Sequence, residues 1–240
     1  MQIAANLDRL WADLPFPDRV ETAAAAGVTA VAVAFPYEMP ARETRLALLR
    51  AGVDLMQIMV PPPNYTGGDR GFAAVPDSAQ RFRYDMRRAL RYAHELRVSG
   101  LHVLGGVAEG DKARSTLVEN LRAVATDLPG HITLTIGYEA DPGAFLCSTE
   151  IAADVLREVA HPQIGLALDL PAGPSAAEIA VASYGDLVKT VSVPHDPGEE
   201  ATALGAALRA AGYGGWIIAA WALSGQSAPD LTGLNALTAV

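Results

Sequence analysis

A chain of 240 residues, half of them hydrophobic, can bury one sizeable core, and no Ser/Gly-rich or Pro-rich linker interrupts it, so a single domain spanning residues 1–240 is expected. The formal net charge of −9 argues against a nucleic-acid backbone or an anionic membrane surface as partner, and a small molecule is the expected one. Cys147 is the sole cysteine, which excludes an internal disulfide; with no apolar run of membrane-spanning length and no basic-then-apolar amino terminus, a cytoplasmic location is expected.

In chain order, residues 1–7 alternate weakly and read as a first strand ending near Asn6, whose amide is either a strand-end ligand group or a turn former. Pro15, Pro17 and Gly27 bracket a helix over residues 18–26. A short apolar run over 31–38, broken at Pro36, reads as a second strand opening into a loop. A helix over 41–51 closed by Gly52 leads to a third strand over 54–60 that bears Gln57. The segment 61–72 is long and irregular, ordered in composition, and reads as an active-site loop; within it Arg70 is a candidate substrate-binding residue.

Residues 78–96 form a strongly amphipathic helix whose five arginines read as a solvated face rather than a phosphate site. A fourth strand over 101–106 bears His102, either a pocket residue or a hydrogen-bonded core histidine. Helices over 113–128 and 148–159 flank a fifth strand at 132–137, and the sixth strand, 164–169, ends on Asp169. A carboxylate at the end of an apolar strand is costly to bury without a partner, which makes Asp169 the strongest functional candidate on physical grounds. A seventh strand over 187–193 contains Ser192 and runs into a polar loop, 194–199, with His195 beside Asp196 and Glu199; a surface turn and a functional imidazole are equally supported there. A helix over 200–211 precedes an eighth strand at 215–220. Eight strands separated by helix-length segments in 240 residues predict an α/β fold, a closed (β/α)8 TIM barrel, with chemistry on the loops after the strand ends.

Several short motifs carry a likeness across most of the chain: Ala4-Ala5-Asn6-Leu7, Phe35-Pro36-Tyr37, the loop from Gly68 to Pro76, His102-Val103 followed by Gly105-Gly106-Val107, Leu168-Asp169, and Gly212-Tyr213-Gly214-Gly215-Trp216-Ile217. Together they resemble hydroxypyruvate isomerase and its relatives among the xylose isomerase-like TIM barrels. The resemblance implies isomerisation or epimerisation of a small hydroxy-carbonyl compound through an enediolate, with two glutamates as acid and base and a divalent metal on the substrate oxygens. It implies four metal ligands at the ends of strands five to eight: a glutamate, an aspartate, a glutamine or histidine, and a second glutamate. Only the aspartate is plainly kept, as Asp169; Ser192 and Ala220 stand at the positions on strands seven and eight. On strand five, counting from Gly130 places Ile136 at the ligand position, whereas matching the segment before Pro142-Gly143 places Glu139 there.

Two carboxylates without further donors make a poor divalent site, so no metal and no other cofactor is expected. One reading is a metal-independent isomerase- or lyase-type enzyme with Glu139 or Asp169 as base and His195 as acid. Asn6, Gln57 and His102 would then supply hydrogen bonds to an enolate oxygen. The alternative is a catalytically inactive relative that binds a small molecule or a partner protein; a third reading retains a metal through His195, Asp196 and Asp169. Trp221 and Leu223, read as exposed, form a candidate homodimer contact, with ordinary barrel packing as the other explanation.

Overall fold

The computed structural model describes residues 1–37, 39–60 and 70–221, together with 233, 236 and 237. Eight strands alternate with helices: β1 (Gln2–Asn6), β2 (Ala30–Val33), β3 (Asp54–Met59), β4 (Gly100–His102), β5 (Thr133–Gly137), β6 (Ile164–Asp169), β7 (Val188–Val193) and β8 (Trp216–Ala219). Their order, β1 to β8, closes into a barrel, with β1 pairing in parallel with both β2 and β8. The (β/α)8 barrel expected from the spacing of the apolar runs is the fold observed. The helices are α1 (Leu7–Leu10), α2 (Phe16–Ala25), α3 (Ala41–Ala51), α4 (Ala79–Leu96), α5 (Gly110–Ala125), α6 (Thr149–Val159), α7 (Pro174–Tyr184) and α8 (Ala201–Ala210).

Two compact units make up the chain, each assembled from separated stretches. The first comprises Met1–Val33, Glu43–Met56 and Leu168–Val240. Its core includes a cluster in which the alanines Ala4, Ala30 and Ala32 leave room for Met56 and Ile218, with Trp216 packed against it. Filling such gaps matters because removing a large buried side chain costs both its transfer energy and a cavity, about 2–5 kcal/mol. Asn6 ends β1 and at once caps α1, its side chain accepting from the Asp8 N–H at 2.9 Å, so the turn-forming reading is realised at the strand end. Arg19 then ties this corner together by donating to the carbonyls of Leu7, Ala12 and Leu14. Trp221 is only 4% exposed, so it packs within the chain and is not the exposed contact expected of it; Leu223 lies outside the described residues.

The second unit comprises Ala34–Arg42 and Gln57–Ala167. Here α4 presents Phe82, Met86, Ala89 and Ala93 as one buried stripe at helical spacing. Its arginines are not all idle surface: Arg81 pairs with the buried Asp85 at 3.3 Å, and Arg88 lies over the Tyr37 ring. Tyr37 itself donates to the Met59 carbonyl and stands edge-on to Tyr92, which fixes the Phe35-Pro36-Tyr37 corner after β2. β3, β4 and β5 pair in parallel, with Met59, His102 and Thr135 in lateral register. Among the described residues no helix is long and apolar enough to cross a membrane.

Candidate active site

In the second unit the loops after β4 and β5 are built around Glu139. The chain leaves β5 at Gly137, and two residues on, Glu139 is folded inward and only 6% exposed, while its neighbour Tyr138 is 46% exposed. Its Oε1 accepts from the Gly105 backbone N–H at 2.6 Å, and the Gly106 N–H also bonds the carboxylate. Two successive amides turned towards one anion form a concave nest. At Gly106 both space and conformation require glycine, while at Gly105 an added Cβ would be tight. A Cβ on Gly105 would lie 3.3 Å from Glu139 Oε1, and one on Gly106 (φ +86°) would stand 2.3 Å from the Gly71 carbonyl oxygen.

The segment after residue 69 is pinned to the same place. Ala74 donates to the Gly105 carbonyl, Asn120 on α5 donates to the Ala73 carbonyl, and Phe145 donates to the Gly106 carbonyl. Gly71 passes so close to Leu104 that a Cβ would come within 2.6 Å of it. Arg70, at the start of this segment, lies 5.1 Å from the Phe35 ring centroid, and its positive charge is felt by Glu139. Among the described residues Arg70 forms no ion pair. Residues 61–69 of the expected active-site loop lie outside the described residues.

Burial dominates the ionisation of Glu139. Desolvation raises its pKa from 4.5 to about 7, against the opposing pull of the two amides and Arg70, with Asp141 adding to the rise. The opposite happens to His102 on β4, where burial alone lowers the pKa to about 4, leaving a neutral imidazole at physiological pH. Its Nδ1 is 3.0 Å from the Thr135 hydroxyl, so it behaves as a hydrogen-bonded core histidine. Gln57 on β3 is buried, and among the described residues its Oε1 has no hydrogen-bond partner. An acceptor left in that state costs about 1–3 kcal/mol, and the same amide carries an NH2 group that can donate.

In the first unit Asp169 closes β6 as an exposed residue, with Leu168 and Leu170 on either side of it buried. Desolvation of the carboxyl still raises its pKa, outweighing the hydrogen bond donated by Ser192 and the charge of Arg9. Ser192 is thus engaged twice, through its hydroxyl with Asp169 and through its carbonyl with the Leu170 N–H. His195 follows β7 as an exposed residue and lines a cleft between the β6–α7 and β7–α8 connections.

Among the described residues no three His, Cys, Asp or Glu side chains come together as a metal-binding group. The described donors do not fit the four-ligand set that the resemblance implies. Ser192 is already bonded to Asp169, Ala220 has no ligating side-chain atom, and the Glu139 carboxylate is held by backbone amides.

The Gly105–Gly106 nest was not read from the sequence, although a Gly-Gly pair directly after a strand signals close backbone approach. Arg9, the cation beside Asp169, left no such signal in the sequence.

The chain is thus a closed (β/α)8 barrel with a buried, amide-held carboxylate after β5. A model of the xylose isomerase-like TIM barrel matches residues 20–234, and the chain belongs to this family. It is 31% identical over 176 residues to 2-oxo-tetronate isomerase of Pectobacterium atrosepticum, a match covering 70% of this chain and 67% of that protein. With hydroxypyruvate isomerase of Escherichia coli the identity is 28% over 178 residues, covering 71% and 69% of the two chains. A Brucella melitensis crystal structure described as AP endonuclease, family 2, superposes with a TM-score of 0.87 at 28% identity and 98% coverage of both chains.

Proposed function

We infer that this protein is an isomerase- or lyase-type enzyme that moves a proton between adjacent carbons of a small hydroxy-carbonyl compound, with Glu139 as the acid/base and without a resident metal. The observation behind this reading is the Glu139 carboxyl itself: buried, fixed by the Gly105 amide at 2.6 Å, and lifted to about 7. A carboxyl that titrates near neutrality is populated in both forms at cellular pH. It can take the proton from the hydroxyl-bearing carbon beside a carbonyl, leaving an enediolate, and return it to the former carbonyl carbon while the hydroxyl proton passes to the other oxygen.

Arg70 supports the substrate class. Its guanidinium, stacked on Phe35 and unpaired among the described residues, favours negative charge on the ligand, whether a developing enolate or a carboxylate. The relatives named for hydroxypyruvate and 2-oxo-tetronate act on 2-oxo acids, and the same class is the proposed substrate here. Asp169, with Ser192, and His195 are the remaining proton-carrier candidates, each tested by its own substitution.

The test is deuterium wash-in at carbon, followed by NMR, with hydroxypyruvate and 2-oxo-tetronate offered to protein dialysed against EDTA. Turnover is expected to persist at sub-stoichiometric metal content. Glu139→Gln, which keeps an acceptor for the two amides, is expected to lower kcat by about 10²–10⁴-fold with an unchanged circular dichroism spectrum. Activity that disappears on chelation and returns with Mn²⁺ or Mg²⁺ would refute the metal-free reading, and an unchanged rate in Glu139→Gln would refute the assignment of the base. The presence of Ser192 and Ala220 at expected ligand positions favours a second reading, a binding protein without catalysis. Ligand binding with no deuterium exchange under any condition would establish that one.

A further inference from the structure

The cleft lined by His195 has a chemistry of its own. Its volume is about 150 Å³, and its floor is apolar: Leu170, Val193 and Leu204 are each at least nine-tenths buried yet open onto it. Asp196, Glu200 and His195 complete the wall, and none of the lining residues is Lys or Arg. Among the described residues neither Asp196 nor Glu200 forms an ion pair, and Asp196 is fixed in orientation by accepting the Gly198 N–H at 2.9 Å. The cleft thus combines an apolar floor with two carboxylates that, among the described residues, have no cationic partner.

We propose that this cleft is a binding site for a small amine with a compact apolar body. The apolar floor takes the body by the same burial that drives any hydrophobic contact. An engineered protein cavity of about 150 Å³ accommodates benzene, which sets the size of that body. The ammonium faces Asp196 and Glu200, and a ring nitrogen of His195 can accept a hydrogen bond from it. The net charge of −9 favours the approach of a cation and disfavours that of an anion. This inference shares His195 with the isomerase reading but involves neither Glu139 nor Arg70, and it is tested without turnover.

The probe is benzylamine, titrated into the intact protein by calorimetry alongside benzyl alcohol and benzoate, which share its ring but not its charge. Benzylamine is expected to bind about fivefold more tightly than benzyl alcohol at low salt, the advantage of pairing with partly exposed carboxylates, and benzoate to bind least. Glu200→Gln should bring benzylamine towards the affinity of benzyl alcohol without weakening the alcohol. Leu204→Trp on α8 and, as a second filling variant on the β6–α7 connection, Ala172→Phe should abolish binding of all three. Equal affinity for amine and alcohol would overturn the choice of ligand. No binding of benzylamine, or undiminished binding in a folded filling variant, would overturn the site.

Discussion

At the scale of single residues, Glu139 and Asp169 exchange the roles that their positions suggest. Asp169 ends an apolar strand yet is exposed there, whereas Glu139 sits in a polar, turn-like stretch and is only 6% exposed. Ile136, the other candidate for the strand-five position, is fully buried within β5. The difference is not local: what buries Glu139 is the pair Gly105–Gly106, over thirty residues away in the chain, and no periodicity within residues 132–143 records that. A buried carboxyl with a raised pKa has a consequence for stability. The unfolded chain releases this proton near 4.5 and the folded chain only near 7, so between those values the folded state binds more protons and loses stability as pH rises. At about 1.4 kcal/mol per pH unit of displacement, the penalty approaches about 3 kcal/mol above pH 7. Glu139→Gln should therefore be more stable than the parent at pH 8 and equal to it below pH 4.5, as read by urea denaturation across that range. A stability difference that does not change with pH would mean that the carboxyl is not held neutral by burial. The pH profile of kcat/KM should likewise show a limb bending near 7 that the variant lacks.

Among elements, the strands were legible and the crossings between loops were not. The apolar runs at 54–60, 132–137, 164–169 and 187–193 correspond to β3, β5, β6 and β7 within a residue or so, because a strand enclosed on both faces must be apolar throughout. The run at 101–106 yields only a three-residue strand, β4 (Gly100–His102), since the chain beyond it turns to meet Gly71. The one-turn α1 went unread, being set by the Asn6 cap rather than by periodicity; α7 was implied only as a helix-length spacer, its alanine-rich sequence giving a weak stripe. The Gly71–Gly106 crossing positions the amide pair that holds Glu139, and it can be tested against a glycine with the same conformation but open surroundings. Gly106 (φ +86°) would place a Cβ against the Gly71 carbonyl, whereas Gly27 (φ +80°) has nothing within 4 Å. Both variants to alanine bear the cost of a left-handed residue, about 1–2 kcal/mol. Only Gly106→Ala adds a backbone clash, so it should lose at least about 2 kcal/mol more than Gly27→Ala in chemical denaturation. Equal losses would show that the crossing relaxes freely.

For the molecule as a whole, two buried groups in one unit pull the pH dependence in opposite directions. Glu139 destabilises the fold as pH rises from 4.5 towards 7. His102 does the reverse: its folded pKa, about 4, lies below the unfolded value of 6.5, so as pH falls through that interval the unfolded chain takes up a proton that the folded chain refuses, and stability is lost. The two intervals overlap across most of their width, so these contributions largely cancel between pH 4.5 and 6.5. Asp85 and Asp169, whose carboxyls are also raised by desolvation, add to the falling side without reversing it. The parent protein should accordingly show a flatter stability profile over this range than either single variant. Relative to the parent, His102→Gln should gain stability as pH falls from 6.5 to 4, and Glu139→Gln should gain it as pH rises from 4.5 to 7. Denaturation midpoints measured at four pH values for the parent, the two variants and the double variant decide the matter, because opposed and independent groups require the two differences to add. If the single variants shift the profile in the same direction, one of the two burials is wrong.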